Sequence, residues 1–476
     1  MEQSTDIQSL KELVKVLLTK INQLEKSQAS LEAENMSLKA ENAELRHRLN
    51  QNSQNSNKPP SSDGLTKLTT KPAIPREKGK PSGGQKGHTG KTLKMVLVPD
   101  SIIVHHAPCC PCCLKTFTAC DVEQVIQRRQ VFDIPPPKIE VTEHQLGIIS
   151  CCGQKHRGIF PQGVNSLVQY GTQIKSLSVL LSVDFKLPFD KIEQLFSDIY
   201  HCPFNESTAI SANNAFFEAL APIEAAIKSE ILASPVVHFD ETGMRVAGKL
   251  HWFHTACTAV FTYLFVHPKR GKEALNSVQS VIKDFKNWAI HDCWKSYFDY
   301  KYCFHALCNA HIIRELDNLI EQNSAWAVDM KQLLFDLYKL SEKGALNVPH
   351  KHIWLEKYHN ICQKADKEEP IPIKKARGKP KSTKGRNLLN RLITHQEGVL
   401  AFAFIDHIPF TNNQAERDIR CLKTKQKVAT SFHTIKGAQN YARIQGFISS
   451  VRKHKINVFQ QINNVFQQKP VVFVAG

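Results

Sequence analysis

The stretch Val236-Val237-His238-Phe239-Asp240-Glu241-Thr242-Gly243 decides the fold of this chain. Its apolar first half followed by carboxylates predicts a buried strand that ends on an acid, with a turn at the glycine. A second apolar run, Trp288-Ala289-Ile290-His291-Asp292, also ends on an acid. Each acid has a simple alternative explanation, because a carboxylate at the end of a strand often only caps the following turn.

A third carboxylate comes from the polar stretch Asn412-Asn413-Gln414-Ala415-Glu416-Arg417, which is predicted to be helical. Three carboxylates from separate elements can form an oxygen-rich pocket, which hard cations such as Mg2+ prefer. Two such ions can hold the attacking and leaving oxygens of a displacement at phosphorus. We therefore predict Asp240, Asp292 and Glu416 as catalytic residues and as ligands of two magnesium ions. Glu241 competes with Asp240 for this role, since only one of two successive strand residues should face the metals.

The segments that follow the first acid predict a mixed sheet. Three antiparallel strands start at Val236 and continue over Leu250–Ala256 and Val260–Val266, before a helix over Lys272–Phe285 and the strand that ends at Asp292. This is the opening order of a ribonuclease H-like fold. Glu416 comes 124 residues after Asp292, and the helical periodicity between them predicts an inserted helical subdomain.

The inserted segment is predicted to contain helices over Ala306–Ile320 and Ala325–Glu342. Cys308 and His311 share one face of the first of these helices. The pair could bind a metal or support the catalytic pocket, and a buried structural pair is the alternative.

Composition favours a large protein that binds a polyanion. A chain of 476 residues exceeds one core, and 62 basic against 44 acidic residues give a charge of +18. Nucleic acid is the obvious partner. No apolar run is long enough to cross a bilayer, and the N-terminus lacks an export signal, which predicts a cytoplasmic, nucleoid-associated protein. In that compartment the 14 cysteines indicate thiols or metal sites and not disulfides.

The N-terminal segment has a leucine-zipper pattern. Leucines recur every seven residues, and a second core position lies between them, occupied in part by asparagine; the leucines are Leu10, Leu17, Leu24, Leu31, Leu38 and Leu45. Such a pattern predicts a coiled coil that joins copies of the chain into a homo-oligomer, and core asparagines favour a dimer in fixed register.

A cysteine-rich segment follows a flexible basic linker. A turn at Cys109-Cys110-Pro111-Cys112-Cys113 offers a CxxC pair in two registers, and Cys151-Cys152-Gly153 comes some forty residues later. We predict structural Zn2+ bound by Cys110, Cys113, Cys151 and Cys152, since two such pairs complete a tetrahedral site. Ile149 stands where the second pair needs a thiol, so Cys120 or His156 are alternative ligands, and buried free thiols are the alternative to zinc. Strands are predicted over Gln127–Ile139 and Glu140–Ile149.

Helices are predicted next, over Tyr170–Val183, Pro188–Ile199 and Ser207–Ile231, and near the C-terminus over Ala438–Phe459. The turn Cys202-Pro203-Phe204-Asn205 between the second and third helices resembles a helix-turn-helix arrangement. A plain three-helix connector would show the same pattern.

Two basic segments are predicted to contact DNA phosphates. The segment from Lys374 to Arg386 carries seven positive charges and no acid, and Lys374, Lys375 and Arg377 lead it. The helix of Glu416 continues with Arg417, Arg420 and Lys423, which suits a helix along the backbone of the scissile strand.

The assembled motifs resemble those of the transposases of insertion-sequence family 66. The shared features run in order along the chain: the zipper, Asn57 to Asp63, Gly83 to His88, the cysteine turns, His238 to Thr242, Cys308 to His311, and Asn412 to Arg417. The resemblance implies a ribonuclease H-like core whose Asp-Asp-Glu triad matches Asp240, Asp292 and Glu416. It also implies two zinc knuckles, from which this sequence departs at Ile149.

The activity that the resemblance implies is cleavage at transposon ends and strand transfer into target DNA by two-metal phosphoryl transfer. Its partners would be the terminal inverted repeats, target DNA and accessory proteins of the same element. Two other classes stay open: a zipper-dimerised DNA-binding regulator, in which the three acids are idle, and a ribonuclease H-like nuclease that cuts without joining.

The predicted fold is a multidomain α+β chain in seven segments. These are a coiled coil (1–50), a flexible basic linker (51–95), a zinc-ribbon-like domain (96–164), a helical connector (165–234), the first part of the ribonuclease H-like core (235–300), a helical insertion with the basic loop (301–400), and the second part of the core with the C-terminal helix (401–476).

Overall fold

The computed structural model describes residues 2–49, 93–342, 344, 349–371, 382–471 and 473. The chain divides into two compact units. One contains Glu224–Lys423 with the N-terminal Met1–Pro75, and the other contains Arg76–Ile223 with Thr424–Gly476.

The described residues form strands and helices that alternate in the middle of the chain and are all helical towards its end. The strands are β1 (Ile148–Cys151), β2 (Gln154–Arg157), β3 (Val236–Val246), β4 (Lys249–Cys257), β5 (Thr262–His267), β6 (Trp288–His291) and β7 (Phe304–Leu307). The helices are α1 (Glu2–Leu49), α2 (Thr172–Val179), α3 (Phe189–Tyr200), α4 (Glu206–Ala219), α5 (Ala221–Ala233), α6 (Lys272–Leu275), α7 (Asn309–Ile320), α8 (Ala325–Ser341), α9 (Lys351–Glu368), α10 (Lys384–Thr394), α11 (Gln396–Phe404), α12 (Asn413–Ala429), α13 (Ile435–Lys453) and α14 (Val458–Phe466).

The first unit contains a mixed five-stranded sheet in the order β5-β4-β3-β6-β7. The first three strands in sequence form an antiparallel meander, as predicted, and β6 and β7 run parallel to β3. Strands β4 and β5 are almost entirely buried in their second halves, which explains their continuous apolar and β-branched composition. The architecture is therefore mixed α/β.

Strand β3 is longer than the sequence predicts. The expected turn at Gly243 is wrong, because Gly243 pairs with Trp252 inside the ladder and the chain turns at Ala247 and Gly248. These two residues have φ values of 48° and 75°, a left-handed backbone that a two-residue hairpin requires. Asp240 consequently lies in the middle of the strand.

Helices α7 to α11 lie between β7 and α12 in the chain and pack on the β7 edge of the sheet. Their apolar faces share one core with Ile290, Ala306 and Leu307 of the two parallel strands. Helix α11 lies close to β7 at Gly398, where an added Cβ would lie 2.7 Å from the carbonyl oxygen of His305. The glycine therefore permits this contact.

Two element predictions in this unit are wrong. The predicted helix over Lys272–Phe285 is only α6 followed by a 3-10 turn at Ile282–Asp284. The start of the predicted helix Ala306–Ile320 is instead the end of β7, since Phe304–Leu307 pairs with β6. A short apolar run does not distinguish a buried strand from a buried helix by periodicity.

The second unit is largely helical. Phe196 of α3 stacks on Phe204 at 4.3 Å between ring centroids, and Leu181, Ile192 and Ala209 complete this small core. The predicted helix over Ser207–Ile231 is two helices, α4 and α5, because Pro222 has no backbone N–H to continue the hydrogen-bond ladder. The acids Asp190, Glu193, Asp198 and Glu206 line a groove on α3 and α4, and such a surface does not favour phosphate contact.

The cysteine-rich segment contains less regular structure than predicted. The strands expected over Gln127–Ile139 and Glu140–Ile149 are absent except for the short hairpin of β1 and β2. Pro135, Pro136 and Pro137 offer no N–H groups to a ladder, and Val131 is 90% exposed, so a strand there would bury little apolar surface.

The N-terminal helix α1 confirms the helical part of the zipper prediction. Its heptad leucines from Leu17 to Leu45 are exposed, with Leu24 at 69% and Leu31 at 62%. Among all the helices in the described ranges, none combines the length and the apolar composition that crossing a bilayer requires.

Candidate active site

Two predicted acids lie at one level of the sheet. Asp240 is in the middle of β3, and Asp292 directly follows the last residue of β6. The two strands are parallel neighbours, with His238 opposite Ile290. Two residues further along each strand, the chain reaches Asp240 and Asp292, so the parallel register places both acids at the carboxyl end of β6.

Glu416 is positioned by a hydrogen-bonded junction between α12 and β3. The Oδ1 atom of Asn412 lies 2.8 Å from Nδ1 of His238, and its amide nitrogen donates to the carbonyl oxygen of Phe239 at 2.8 Å. The backbone N–H of Glu416 donates to the carbonyl oxygen of Asn412 at 3.3 Å. These bonds fix the first turn of α12, which carries Glu416, against β3.

Strand alternation explains which acid of β3 faces α12. Successive side chains point to opposite faces of a sheet, so His238 and Asp240 share one face while Phe239 and Glu241 share the other. Because His238 contacts Asn412 at the start of α12, this is also the face of Glu416.

The environment of Asp240 disfavours its ionised form. Burial raises the pKa of Asp240 well above its ordinary value, and the carboxylates of Glu241, Asp292 and Glu416 raise it further. One hydrogen bond opposes this shift, since the backbone N–H of Glu241 donates to Oδ1 of Asp240 at 2.8 Å. Oε1 of Glu416 is buried and has no hydrogen-bond partner in the described part of the chain. Within the described ranges, the carboxylate oxygens of Asp240, Asp292 and Glu416 do not all lie within 4.8 Å of one another, so their joint binding of metal ions stays a prediction.

Glu241 has other partners. Arg270 donates to its Oε1 from Nε at 2.8 Å and from Nη2 at 2.6 Å, while the hydroxyl of Tyr297 donates to its Oε2 at 2.7 Å. The guanidinium group lies over the rings of Trp252 and Trp294, with its central carbon 4.9 Å and 4.4 Å from their centroids. Both oxygens of Glu241 are therefore used in holding Arg270 and Tyr297.

A second group of side chains meets Glu416 from the insertion. Ligand atoms of Cys308, His311 and Glu416 all lie within 4.8 Å of one another. The backbone N–H of Asn412 donates to Sγ of Cys308 at 3.1 Å. Burial lowers the pKa of His311, but the adjacent Cys308, with a smaller contribution from Glu416, brings it to about 9.

Two histidines support the turn that carries Asp292. Nδ1 of His291 accepts the backbone N–H of Cys293 at 3.2 Å, so its Nε2 carries the proton and donates to Nδ1 of His305 at 3.0 Å. Nε2 of His305 then donates to the carbonyl oxygen of Tyr300 at 3.0 Å. Burial lowers the pKa of His291 well below its ordinary value, and His305 and His395 add to this effect.

The sequence model of the family described as Transposase IS66 family matches residues 168–440, which is more than half of the chain. The chain belongs to the IS66 family of transposases. This IS66-family chain is therefore a DNA-processing enzyme, and its family match includes Asp240, Asp292 and Glu416. Residues 2–94 match a family of unknown function, DUF6444, and no curated protein matches the chain.

The basic residues predicted to contact DNA have different surroundings in this IS66-family chain. Arg417 and Arg420 are exposed on α12. Lys423 is half-buried and donates to the carbonyl oxygen of Gly243 at 3.4 Å. Burial lowers the pKa of Lys423, and the carboxylate of Asp240 partly offsets this shift. Lys374, Lys375 and Arg377 lie outside the described residues.

The predicted zinc ligands lie at two turns. Backbone N–H groups of Cys113 and Cys112 lower the pKa of the Cys110 thiol, which is the arrangement of a metal-binding knuckle. Cys151 and Cys152 lie at the β1–β2 hairpin with their sulfurs 3.6 Å apart. Within the described ranges, no three of Cys110, Cys113, Cys151 and Cys152 converge within 4.8 Å, so this site stays a prediction.

Three supporting residues were not predicted from the sequence. Arg270 follows β5 without any distinctive motif, and Tyr297 and His305 lie in segments with no recognisable pattern. Asn412 belongs to the motif Asn412 to Arg417, and its position directly before a predicted helix was the sequence signal for its role.

Proposed function

We propose that this chain cleaves DNA at transposon ends and joins the freed ends to target DNA, with Asp240, Asp292 and Glu416 as its catalytic residues. The observation that carries the proposal is geometric: the parallel register of β3 and β6 brings Asp240 and Asp292 to the same end of the sheet, and Asn412 bonds the first turn of the helix of Glu416 to β3. The five-stranded order, with a three-stranded meander followed by two parallel strands, supports a ribonuclease H-like core.

The three acids would supply the ligands for a pair of divalent cations. Asp240 and Glu416 are largely buried, and Oε1 of Glu416 has no other partner among the described residues. All the ligand atoms that these three carboxylates offer are oxygens, and Mg2+ prefers oxygen ligands. When bound, two such ions would activate water and stabilise the charge that develops on the scissile phosphate.

The residues of the chain orient the reacting groups. Strands β3 and β6 fix two carboxylates, and the Asn412 junction fixes the third. Arg417 and Arg420, exposed on the helix of Glu416, would bind phosphates of the scissile strand. Water attacks the phosphodiester at the transposon end, and the bond from phosphorus to the 3′ oxygen breaks. The released 3′-hydroxyl then attacks a phosphodiester of the target, where the new bond to phosphorus forms as the bond to the target's own 3′ oxygen breaks and that oxygen leaves as a hydroxyl. No covalent protein intermediate is needed.

The test uses purified protein, its terminal repeats and Mg2+. Wild type should cut the ends, whereas Glu416→Gln should lose at least about a thousandfold in rate. Glu356→Gln removes an exposed glutamate from α9 and should leave the rate unchanged. Equal rates for wild type and Glu416→Gln would refute the assignment and favour a DNA-binding regulator. A pre-cut end that is never joined to target DNA would identify a nuclease instead.

The exposed heptad face of α1 supports assembly into a homodimer or larger oligomer through the zipper. A structural zinc ion at Cys110, Cys113, Cys151 and Cys152 is part of the same proposal, as are nucleoid association and accessory proteins of the element. The knuckle hydrogen bonds at Cys110 support the zinc assignment.

A further inference from the structure

We propose that Cys308, His311 and Glu416 form a second metal site that takes Zn2+ or another borderline divalent ion and shares Glu416 with the catalytic centre. The proposal goes beyond the proposed function, because the site is defined by its own ligand atoms. Its effect on catalysis rests on that function.

The geometry of the three ligands is close to that of a tetrahedral site. Zinc bonds of about 2.0 to 2.3 Å place neighbouring ligand atoms about 3.3 to 3.8 Å apart. The sulfur, nitrogen and oxygen atoms of this group already lie within 4.8 Å of one another. Small rotations of the side chains would bring them onto one ion, and three protein ligands leave the fourth position to water.

Two buried atoms in the group are without hydrogen bonds. Nδ1 of His311 and Oε1 of Glu416 are both buried and have no partner in the described part of the chain. A buried polar atom with no partner costs free energy, which coordination to a cation would remove.

The backbone supports a thiolate ligand. Cys308 is 1% exposed, and its sulfur accepts the backbone N–H of Asn412 at 3.1 Å. A donor of this kind orients and stabilises a metal-bound thiolate. Cys308 and His311 are rigidly spaced because they lie at the last residue before α7 and in its first turn.

The donor set selects the ion. Sulfur and nitrogen ligands favour Zn2+ or Co2+, whereas Mg2+ prefers oxygen ligands alone. Because Glu416 belongs to both groups, an ion held by Cys308 and His311 draws this carboxylate away from Asp240 and Asp292. Zinc binding should therefore oppose magnesium-dependent cleavage.

Cobalt absorption tests the site directly. Full-length protein is titrated with Co2+, and the thiolate-to-cobalt charge-transfer band of Cys308→Ala is compared with that of Cys362→Ala, which removes a buried thiol outside the group. Both variants keep the cysteines of residues 109–152, so their contribution cancels in the difference. We expect Cys308→Ala to lose one bound cobalt ion per chain and Cys362→Ala to lose none.

The variant His311→Gln gives an independent measurement if Cys308→Ala does not fold. It should lose the same cobalt ion while keeping the thermal unfolding temperature of wild type. An unchanged cobalt spectrum in the folded variant would overturn the proposal and leave a hydrogen-bonded group that only positions Glu416. Since the spectrum needs no DNA, a failure of the cleavage assay does not affect this result.

Zinc inhibition then tests the competition. Cleavage by wild type at fixed Mg2+ should fall as Zn2+ is added, and Cys308→Ser should need at least about tenfold more Zn2+ for the same loss. Equal zinc sensitivity of the two proteins would refute the sharing of Glu416.

Discussion

The side-chain amide of Asn412 donates a hydrogen bond to the carbonyl oxygen of Phe239, 2.8 Å away and 173 positions earlier in the chain. The same side chain contacts His238, so one buried asparagine joins the strand of Asp240 to the helix of Glu416.

We predict that Asn412→Ala lowers the cleavage rate about a hundredfold, because a small displacement of Glu416 costs that much. The loss of buried hydrogen bonds should also reduce the free energy of unfolding by about 1 to 3 kcal/mol. Cleavage assays and urea unfolding measure the two effects. Asn360→Ala, at an exposed position of α9, is the control, and an Asn412 variant as active as this control would contradict the prediction.

Arg270→Ala should destabilise the fold by about 3 kcal/mol at pH 7, since it leaves the carboxylate of Glu241, whose side chain is 1% exposed, without its cation. Burial and Asp292 already raise the pKa of Glu241, so the orphaned acid should take up a proton and the loss should shrink at pH 5. Urea unfolding at both pH values measures this. Lys272→Ala breaks an exposed pair with Asp299 and should cost under about 1 kcal/mol. Equal losses in the two variants would argue against a special role for Arg270.

Acid should weaken the fold through two buried histidines. Burial lowers the pKa of His254 to about 4 and that of His291 well below its ordinary value. An unfolded histidine titrates near 6.5, so between about pH 6.5 and 4 the unfolded chain binds protons that the folded chain does not. This stability is complete above pH 6.5 and is lost as the pH falls, by up to about 3 kcal/mol for His254.

The pH dependence of the unfolding free energy tests this assignment. His254→Phe keeps a ring against Phe265, which stacks on His254 at 4.8 Å, and should make the pH profile flatter below pH 6.5. His144→Gln, at an exposed position, should reproduce the wild-type slope. A steep profile in His254→Phe would assign the acid sensitivity to other groups.

Gly398→Ala should destabilise the chain by about 1 to 3 kcal/mol although alanine favours helices, because its Cβ would lie 2.7 Å from the carbonyl oxygen of His305. Helix α11 would have to move away from β7. Gly271→Ala introduces the same methyl group where nothing lies within 4 Å and should be nearly neutral. The unfolding temperatures of both variants test this prediction. A higher unfolding temperature for Gly398→Ala would show that α11 and β7 are less tightly packed than the structure indicates.

The zipper predicts the oligomeric state. Replacing Leu24 and Leu31 with lysine puts charges on the exposed apolar face of α1 and should convert the oligomer to monomers in sedimentation experiments. Lys26→Ala changes the same helix outside the heptad core and should leave the mass unchanged. A wild-type chain that sediments as a monomer would remove the zipper from the proposed function.

The position of Asp292 at the end of a strand could be predicted because an acid after an apolar run is visible in sequence, whereas Asp240 was expected at a strand end and lies in the middle of β3. The three-stranded meander and the helical insertion followed from periodicity in the same way. Strand β7 was missed, because Phe304–Leu307 is a short apolar run beside a helix, and its pairing with β6 is a long-range contact. The local sequence does not determine which strands pair or in which register.

The surroundings of the acids were less predictable for the same reason. Nothing in the sequence near Arg270 indicates that it pairs with Glu241. The basic residues of α12 were predicted to contact DNA, and the sequence did not indicate that Lys423 donates to a backbone carbonyl of β3. These contacts depend on how separate elements pack. Packing also decides whether strands form: the segment after Cys113 has strand-forming residues, but they are exposed and interrupted by prolines, and they form no strand.

The order of the elements also has a consequence during synthesis. Strands β3 and β6 leave the ribosome well before α12, because the whole of α7 to α11 is translated between them and Asn412. A nascent chain that has completed the sheet and the insertion still lacks Glu416, which closes the acidic cluster. Under the proposed assignment, a truncated product that ends before α12 would lack Glu416 and could not cut the DNA that encodes it.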